Sequence, residues 1–300
     1  MSKRALLLIN RHSRRGEKCL PQVVDHLYAH DLELIIKPIK KAEDLPLVIQ
    51  QYQQYIDLVI VGGGDGTLNA VVDSLVEAKL PLGILPLGTA NDLARTLKIP
   101  FSIAEACNVI ANGELKYIDL GCVNGKYFFN VASIGLSVDI TNSLSKGLKR
   151  RWGILAYAIT AIKVISKTRR FRAEIKVNGE STKFKTIQIA IGNGRYYGGG
   201  MAIAEDAAID DQRLDLYSLE LRHWWQIFPL IWTLPKGEYD MLPWVRTMEG
   251  QAIDIYTHKP YDINTDGEIT TFTPARFKVI PHALGVMVPR AVKINGHNTT

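Results

Sequence analysis

Six residues carry the strongest chemical signal in this 300-residue chain: Gly62-Gly63-Gly64-Asp65-Gly66-Thr67. They follow an apolar run, Ile56-Asp57-Leu58-Val59-Ile60-Val61. They open a segment in which Leu68, Val71, Val72, Leu75 and Val76 fall at helical spacing. A glycine-rich turn from strand to helix suits a phosphate. Glycine lets the backbone approach the oxygens, and the free N–H groups of the helix start attract negative charge. The loop is not a Walker A motif, because no Gly-Lys-Ser/Thr follows. Nor is it Gly-x-Gly-x-x-Gly, because Thr67 stands where the third glycine belongs. The competing reading is a plain turn without a ligand, which the backbone entropy of four glycines disfavours.

A second loop repeats the arrangement. Leu85-Pro86-Leu87-Gly88-Thr89-Ala90-Asn91-Asp92 follows the apolar stretch Leu82–Leu85 and precedes a helical one. Thr89 and Asn91 offer hydrogen bonds. Asp92 either caps the helix or orders a water on Mg²⁺. Two such loops at successive strand ends form a crevice at the sheet edge, the usual ligand position in open α/β sheets.

These loops need a scaffold, and the first third of the chain supplies alternating signals. Strands are expected at Ala5–Ile9, Leu32–Ile36, Ile56–Val61 and Leu82–Leu85, with helices at Leu20–Ala29, Leu45–Tyr55, Thr67–Ala78 and Asn91–Leu97. That order implies a parallel sheet with helices on both faces. The pattern changes near Asp119. Strand-like pieces then dominate: Lys126–Val131, Arg172–Val177, Lys183–Ile191, Arg213–Leu219, Gln251–Thr257, Ile269–Thr273 and Arg276–Ile280. They read as an antiparallel β domain with helical insertions near 150–167 and 223–235. The expected division is 1–120 for an α/β domain and 121–300 for a β-rich one, with the last residues returning to the first.

Gly63-Gly64-Asp65-Gly66-Thr67 and Leu87-Gly88-Thr89-Ala90-Asn91-Asp92-Leu93-Ala94-Arg95 closely resemble the diacylglycerol-kinase catalytic family, especially its soluble bacterial lipid kinases. The resemblance continues through Asp119-Leu120-Gly121, Phe129-Asn130-Val131-Ala132-Ser133-Ile134-Gly135, Gly192-Asn193-Gly194, Tyr197-Gly198-Gly199-Gly200 and Asp266-Gly267-Glu268. Gly-Gly-Asp-Gly-Thr alone is shared with NAD kinases and, more distantly, 6-phosphofructokinases. The Gly-Thr-x-Asn-Asp segment and the late Asp-Gly-Glu are specific to lipid kinases. The fold implied is an NAD-kinase-like α/β domain followed by an antiparallel β-sandwich.

The resemblance also implies roles. Gly63, Gly64, Asp65, Gly66, Thr67 and Asn69 would hold the phosphates of ATP, with Thr89 as a further nucleotide contact. Asn10 matches the asparagine of an opening phosphate-side loop, although Arg11-His12-Ser13 replaces the frequent Pro-x-Ser form. Lys37-Pro38-Ile39-Lys40 lacks a nucleotide-contacting threonine found in many relatives. Glu268 matches the general base that takes the proton of a lipid hydroxyl as it attacks the γ-phosphorus. Asp65, Asp92 and Asp119 match an acidic network for catalytic Mg²⁺, held mostly through water. Asp211, with carbonyls of Ala208 and Arg213, matches a structural Mg²⁺ site. Relatives usually have glycine where this chain has Gln212, and a positive φ there would alter the turn or the metal site. Taken without the resemblance, Asp266-Gly267-Glu268 reads first as a hairpin turn with exposed acids; for Ala208–Asp215 a solvated acidic turn is the competing reading.

Composition bounds the partners. Hydrophobic residues make up 47% and charged residues 22%, an ordinary globular balance. Three scattered cysteines, Cys19, Cys107 and Cys122, suit neither a disulfide framework nor a zinc site, and fit a reducing cytosol. The apolar core of the N-terminus is too short for an export signal. No stretch approaches the ~20 apolar residues of a membrane span. A cytoplasmic protein meeting its lipid peripherally is therefore expected. The net charge of +6 suits anionic partners. Residues 146–172 hold nine basic side chains and no acid, and 223–232 holds three of the five tryptophans. Each is a candidate membrane contact; the competing reading is a packed helix with a solvated basic end for the first and an aromatic core filler for the second. No motif supports nucleic-acid binding. Two other functions share this scaffold: an NAD-kinase-like kinase of a soluble substrate, and a non-catalytic nucleotide- or lipid-binding protein.

Overall fold

The structure is a computed structural model that describes residues 3–10, 16–39, 41–136, 138, 168–194, 196–197, 201–202, 208–226 and 242–290. In its first part strands and helices alternate: β1 (Arg4–Asn10), α1 (Gly16–Tyr28), β2 (Glu33–Ile39), α2 (Leu45–Tyr52), β3 (Leu58–Gly63), α3 (Asp65–Ala78), β4 (Leu82–Pro86), α4 (Asp92–Thr96) and α5 (Ile103–Asn112). Then strands dominate: β5 (Glu114–Val123), β6 (Lys126–Phe128), β7 (Val131–Gly135), β8 (Phe171–Val177), β9 (Glu180–Thr186), β10 (Gln188–Gly192), β11 (Tyr196–Tyr197), β12 (Met201–Ala202), β13 (Leu214–Leu219), β14 (Val245–Gly250), β15 (Ala252–Thr257), β16 (Asp262–Thr265), β17 (Glu268–Phe272) and β18 (Ala275–Val288). The expected α/β half followed by an antiparallel half is what the chain forms. The helical insertion expected near 150–167 lies outside the described residues. The one near 223–235 shows only a short 3₁₀ turn at Trp224–Gln226, its remainder being undescribed.

Strands β1, β3 and β4 are the apolar runs of the sequence. Each is parallel to its neighbour, with Ala5 opposite Leu58 and Val59 opposite Leu82. All six residues of β3 and all five of β4 are buried, as in sheets covered on both faces. α3 lays Leu68, Val71, Val72 and Leu75 into this core. α5 adds Ala106, Cys107 and Ile110 from a segment where no element was expected.

The larger sheet runs β2-β1-β3-β4-β18-β15-β8-β9, with β5 and β6 attached through β18. The smaller sheet runs β14-β13-β10-β7-β16-β17. Between them lies an apolar core that includes Phe128, Ile134, Phe171, Ile191, Leu216, Ile255, Ile263 and Phe277.

Three expected strands take a different form, each for a local reason. Lys126–Val131 breaks into β6 and β7, because the N–H groups of Phe129, Asn130 and Val131 turn towards the Asp266 carboxylate. Lys183–Ile191 breaks at Ile187, where the chain passes from the larger sheet to the smaller. The buried Thr186 hydroxyl holds that corner, its one proton shared between the carbonyls of Gln188 and Leu219, each 2.8 Å away. Arg276–Ile280 is only the first part of β18, which is 14 residues long in all. β18 pairs with β15 and β5 and, at Val286, with β4. It thus joins the antiparallel strands to the parallel ones.

Gln212 holds a φ of +59°, the conformation in which a Cβ costs about 1–2 kcal/mol. Gln212→Gly is expected to raise unfolding stability by about 0.5–1 kcal/mol once glycine's own entropy is deducted. The check is the urea midpoint at unchanged m-value.

A candidate active site at the strand ends

Because β1, β3 and β4 are parallel, Asn10, Gly63 and Pro86 end at the same edge of the sheet. Two loops meet there. Leu87 N–H donates to the Gly63 carbonyl at 3.0 Å. Beyond it, Gly88 lies so close to Gly64 that a Cβ on Gly88 would overlap the Gly64 backbone. The second loop is closed by its own asparagine: the Asn91 side chain accepts from Gly88 N–H at 2.9 Å and donates to the Gly88 carbonyl at 3.2 Å. Asn91 takes a φ of +52° to do so, a conformation its short polar side chain tolerates.

The first loop ends at α3, whose N-cap is Gly64 with no side-chain cap. A 14-residue helix therefore presents an uncapped positive end to the crevice. This fits the phosphates of a nucleotide. Asn10 Nδ2 braces the loop by donating to Thr67 Oγ1 at 3.2 Å. Asp65 Oδ1 accepts the Leu93 N–H at 3.2 Å, which ties the start of α3 to the start of α4. Asp92, the residue before Leu93, is buried. Thr89 is exposed at the tip of the second loop.

Glu268 arrives from the other sheet. Strands β16 and β17 are joined by Asp266 and Gly267, at φ +49° and +100°. Two consecutive positive φ values define the tight hairpin for which Asp-Gly is a preferred pair. The turn is anchored on three sides. Asp266 accepts N–H bonds from Phe129, Asn130 and Val131 at 2.7, 2.9 and 3.1 Å. Asn264 Oδ1 accepts the Gly267 N–H at 2.8 Å. Asn69, on α3, donates to the Thr265 carbonyl at 3.0 Å. Held this way, Glu268 brings Oε1 to 3.6 Å from the point a Gly66 Cβ would occupy. Its carboxylate stands over the first turn of α3.

The two acids of this turn differ. Glu268 is exposed, whereas Asp266 is half-buried and fully engaged. Burial pushes the Asp266 carboxyl up to about 6; its three N–H bonds pull the other way, and the nearby charge of Asp65 adds to the rise. The expectation of two exposed acids therefore holds for Glu268 only. The sequence carried no sign of Asp266's role, because its partners lie as many as 137 positions earlier.

Asp119 sits deeper, 1% exposed on β5. Its Oδ1 accepts the His282 N–H at 2.8 Å and its Oδ2 the Gln212 N–H at 2.7 Å. The first donor comes from the irregularity in β18 between Ile280 and Leu284, the second from the turn before β13. Asn193 Nδ2 then links the Asp119 carbonyl to that of Phe129, at 3.0 and 2.8 Å. A relay of hydrogen bonds thus joins Asp119 to the loop that holds Asp266. Asn193, Asn264 and Asp266 are positioning residues; the first and last belong to motifs already quoted, but what they hold is set by the fold.

The crevice therefore brings together Asn10, Gly63, Gly64, Asp65, Gly66, Thr67, Asn69 and Glu268, with Asp92 and Thr89 on the neighbouring loop. Ala208, Asp211 and Arg213 form a separate turn. There the N–H groups of Ala208 and Arg213 meet the Asp211 carboxylate at 3.1 and 3.2 Å. Burial raises the Asp211 carboxyl, against those two bonds and the Arg213 charge. With N–H groups and a guanidinium around its oxygens, this donor set does not fit a divalent cation as it stands. Among the described residues no group of three or more His, Cys, Asp or Glu side chains could hold a metal. Arg11, Arg14, Arg15, Gly198, Gly199 and Gly200 lie outside the described residues. So do 146–167 and 227–232 of the candidate membrane segments. No helix among the described residues is long and apolar enough to cross a membrane.

The comparisons agree with this architecture. Residues 4–123 match the diacylglycerol kinase catalytic domain, and residues 130–288 match the YegS C-terminal NAD kinase beta sandwich-like domain. The chain is 28% identical to a Staphylococcus carnosus diacylglycerol kinase, covering 98% of this chain and 97% of that one. It is 29% identical to a Bacillus subtilis diacylglycerol kinase over 78% of each. A crystal structure of a proposed diacylglycerol kinase from Bacillus anthracis superposes with a TM-score of 0.83 at 27% identity, covering 95% of both chains.

Two outcomes are expected from this geometry. Gly88→Ala forces the two loops apart and should abolish nucleotide binding while leaving a folded chain, as read by equilibrium dialysis and circular dichroism. Lowering the pH through about 6 protonates Asp266, removes an acceptor from the hairpin anchor and should cut turnover. Because the folded pKa is raised, the proton itself favours the folded state, so this group's contribution to stability improves as pH falls over the same window. A pH profile of kcat/KM run beside unfolding midpoints separates the two effects.

Proposed function

The chain belongs to the diacylglycerol kinase catalytic-domain family and is a lipid kinase, and we propose that it transfers the γ-phosphoryl group of ATP directly to a hydroxyl of diacylglycerol or a related lipid. The observation that carries this reading is the Glu268 carboxylate over the uncapped start of α3. A phosphate seated on Gly63–Thr67 would have its outer oxygens beside a base delivered from a different sheet.

Phosphoryl transfer asks mainly for in-line positioning and charge stabilisation. The N–H groups at the start of α3 would face the phosphates, with Asn10 and Thr67 keeping the loop in shape. Glu268 would accept the hydroxyl proton as the new P–O bond forms. Its exposure suits a substrate approaching from outside the protein. Mg²⁺, entering with ATP, would offset charge on the phosphoryl oxygens. Asp65 is the acid best placed to meet it, since its bond to Leu93 uses one oxygen and leaves the other without a partner among the described residues. Asp92 stands one residue from that bond. Asp119 supports the site through the fold. The cytoplasmic face of a membrane is the setting this reading requires, with 146–172 and 223–232 as the candidate points of contact.

The test is label transfer from γ-labelled ATP into a total lipid extract, with Mg²⁺ or with chelator. One Mg²⁺-dependent labelled lipid is expected; labelled NADP with no labelled lipid would refute the lipid reading. Glu268→Gln should lower kcat by about 10²–10⁴-fold, the usual worth of a general base, and leave ATP affinity unchanged. Asp65→Ala should weaken ATP use as well.

A further inference from the structure

Four carboxylates crowd the turn that precedes β13: Asp210, Asp211, Asp215 and, from β14, Glu249. Asp210 is taken by Lys116 of β5 at 2.8 Å. The other three converge on one guanidinium. Arg213 Nε lies 3.2 Å from Asp211 Oδ2 and 3.5 Å from Asp215 Oδ1, and its Nη1 lies 3.1 Å from Glu249 Oε2. The convergence follows from strand geometry. Arg213 and Asp215 are two residues apart and share a face of the extended chain, while Glu249 stands directly opposite Asp215 in the β13–β14 ladder. Asp211 closes the set from within the turn.

A divalent cation could use Asp211 only by displacing what already surrounds it. The N–H groups of Ala208 and Arg213 both donate to its carboxylate, and the guanidinium adds a full positive charge. Mg²⁺ in particular needs near-octahedral oxygen ligands at about 2.0–2.1 Å. We infer that Arg213 is the resident cation of this turn, standing where the resemblance to lipid kinases implies a structural Mg²⁺. A guanidinium suits the place because its planar fork reaches several carboxylates at once and stays charged at any working pH. Beside it, Gln212 holds a left-handed conformation. Arg213 pins one side of Gln212 and Asp211 the other, and the Gln212 N–H is delivered to the buried Asp119 at 2.7 Å. The clamp therefore positions Asp119 from outside the crevice.

This inference does not depend on the proposed activity, and its test reads none. The full chain is purified and its metal content measured by elemental analysis, and thermal unfolding is followed in EDTA and in Mg²⁺. The wild type should carry no stoichiometric metal and should melt at the same temperature in both. Arg213→Ala leaves the carboxylates without their cation. It should melt at least about 2 °C lower in EDTA, and Mg²⁺ should restore most of the loss. One metal per wild-type chain, or a wild-type midpoint that falls in EDTA, overturns the inference. So does an Arg213→Ala chain as stable as wild type in EDTA, or one destabilised that takes up no dication. Should that variant fail to fold, the wild-type metal content and midpoints decide the matter alone.

Discussion

The Asp266 carboxylate, closed by three consecutive backbone N–H groups, is the interaction on which the candidate site depends. A carboxylate in a half-buried place is costly unless its charge is met by donors. Here Phe129 and Asn130, between β6 and β7, and Val131, the first residue of β7, turn their N–H groups to supply them. The exchange converts a flexible hairpin tip into a fixed support. Glu268, the residue immediately after the turn, inherits that rigidity without being buried itself. An exposed carboxylate is thereby held over the start of α3, open to solvent.

The same economy of polar groups recurs deeper in the molecule. Asp119 uses both oxygens on main-chain N–H groups from two distant segments, and Asn193 ties its carbonyl to the loop below Asp266. Such bonds hold the segments together, although Asn193 Oδ1 and Asn264 Nδ2 are buried without a hydrogen-bond partner among the described residues. β18 makes this network possible. Its irregular middle turns His282 towards Asp119, and its two ends pair with different parts of the larger sheet. The chain thus joins the edge of an α/β sheet to a hairpin of the smaller sheet, and the joint is polar.

Much of the fold was legible because it rests on local signals. The buried parallel strands are short apolar runs, and α3 shows its period in five aliphatic positions. The glycine loop announces itself by composition. α5 was also readable in principle, since Ile103, Ala106, Cys107 and Ile110 fall at helical spacing, but its short apolar stripe is weak beside the glycine loops. The breaks at Phe129 and Ile187 had no local sign. Both lie in β-prone stretches and are imposed by partners far along the chain, the Asp266 carboxylate in one case and the Leu219 carbonyl in the other.

The sequence by itself determined the buried parallel strands, α3, the two glycine loops, the order of motifs and hence the family, because each of these is written in consecutive residues. Tertiary structure alone decided which acids gather at the crevice and which serve the fold. Asp266 looked like an exposed turn residue and became an anchor; Asp211 looked like a metal ligand and lies against Arg213. In each case the outcome is set by donors that arrive from other elements, and a carboxylate's role depends on those neighbours rather than on its own position in the chain.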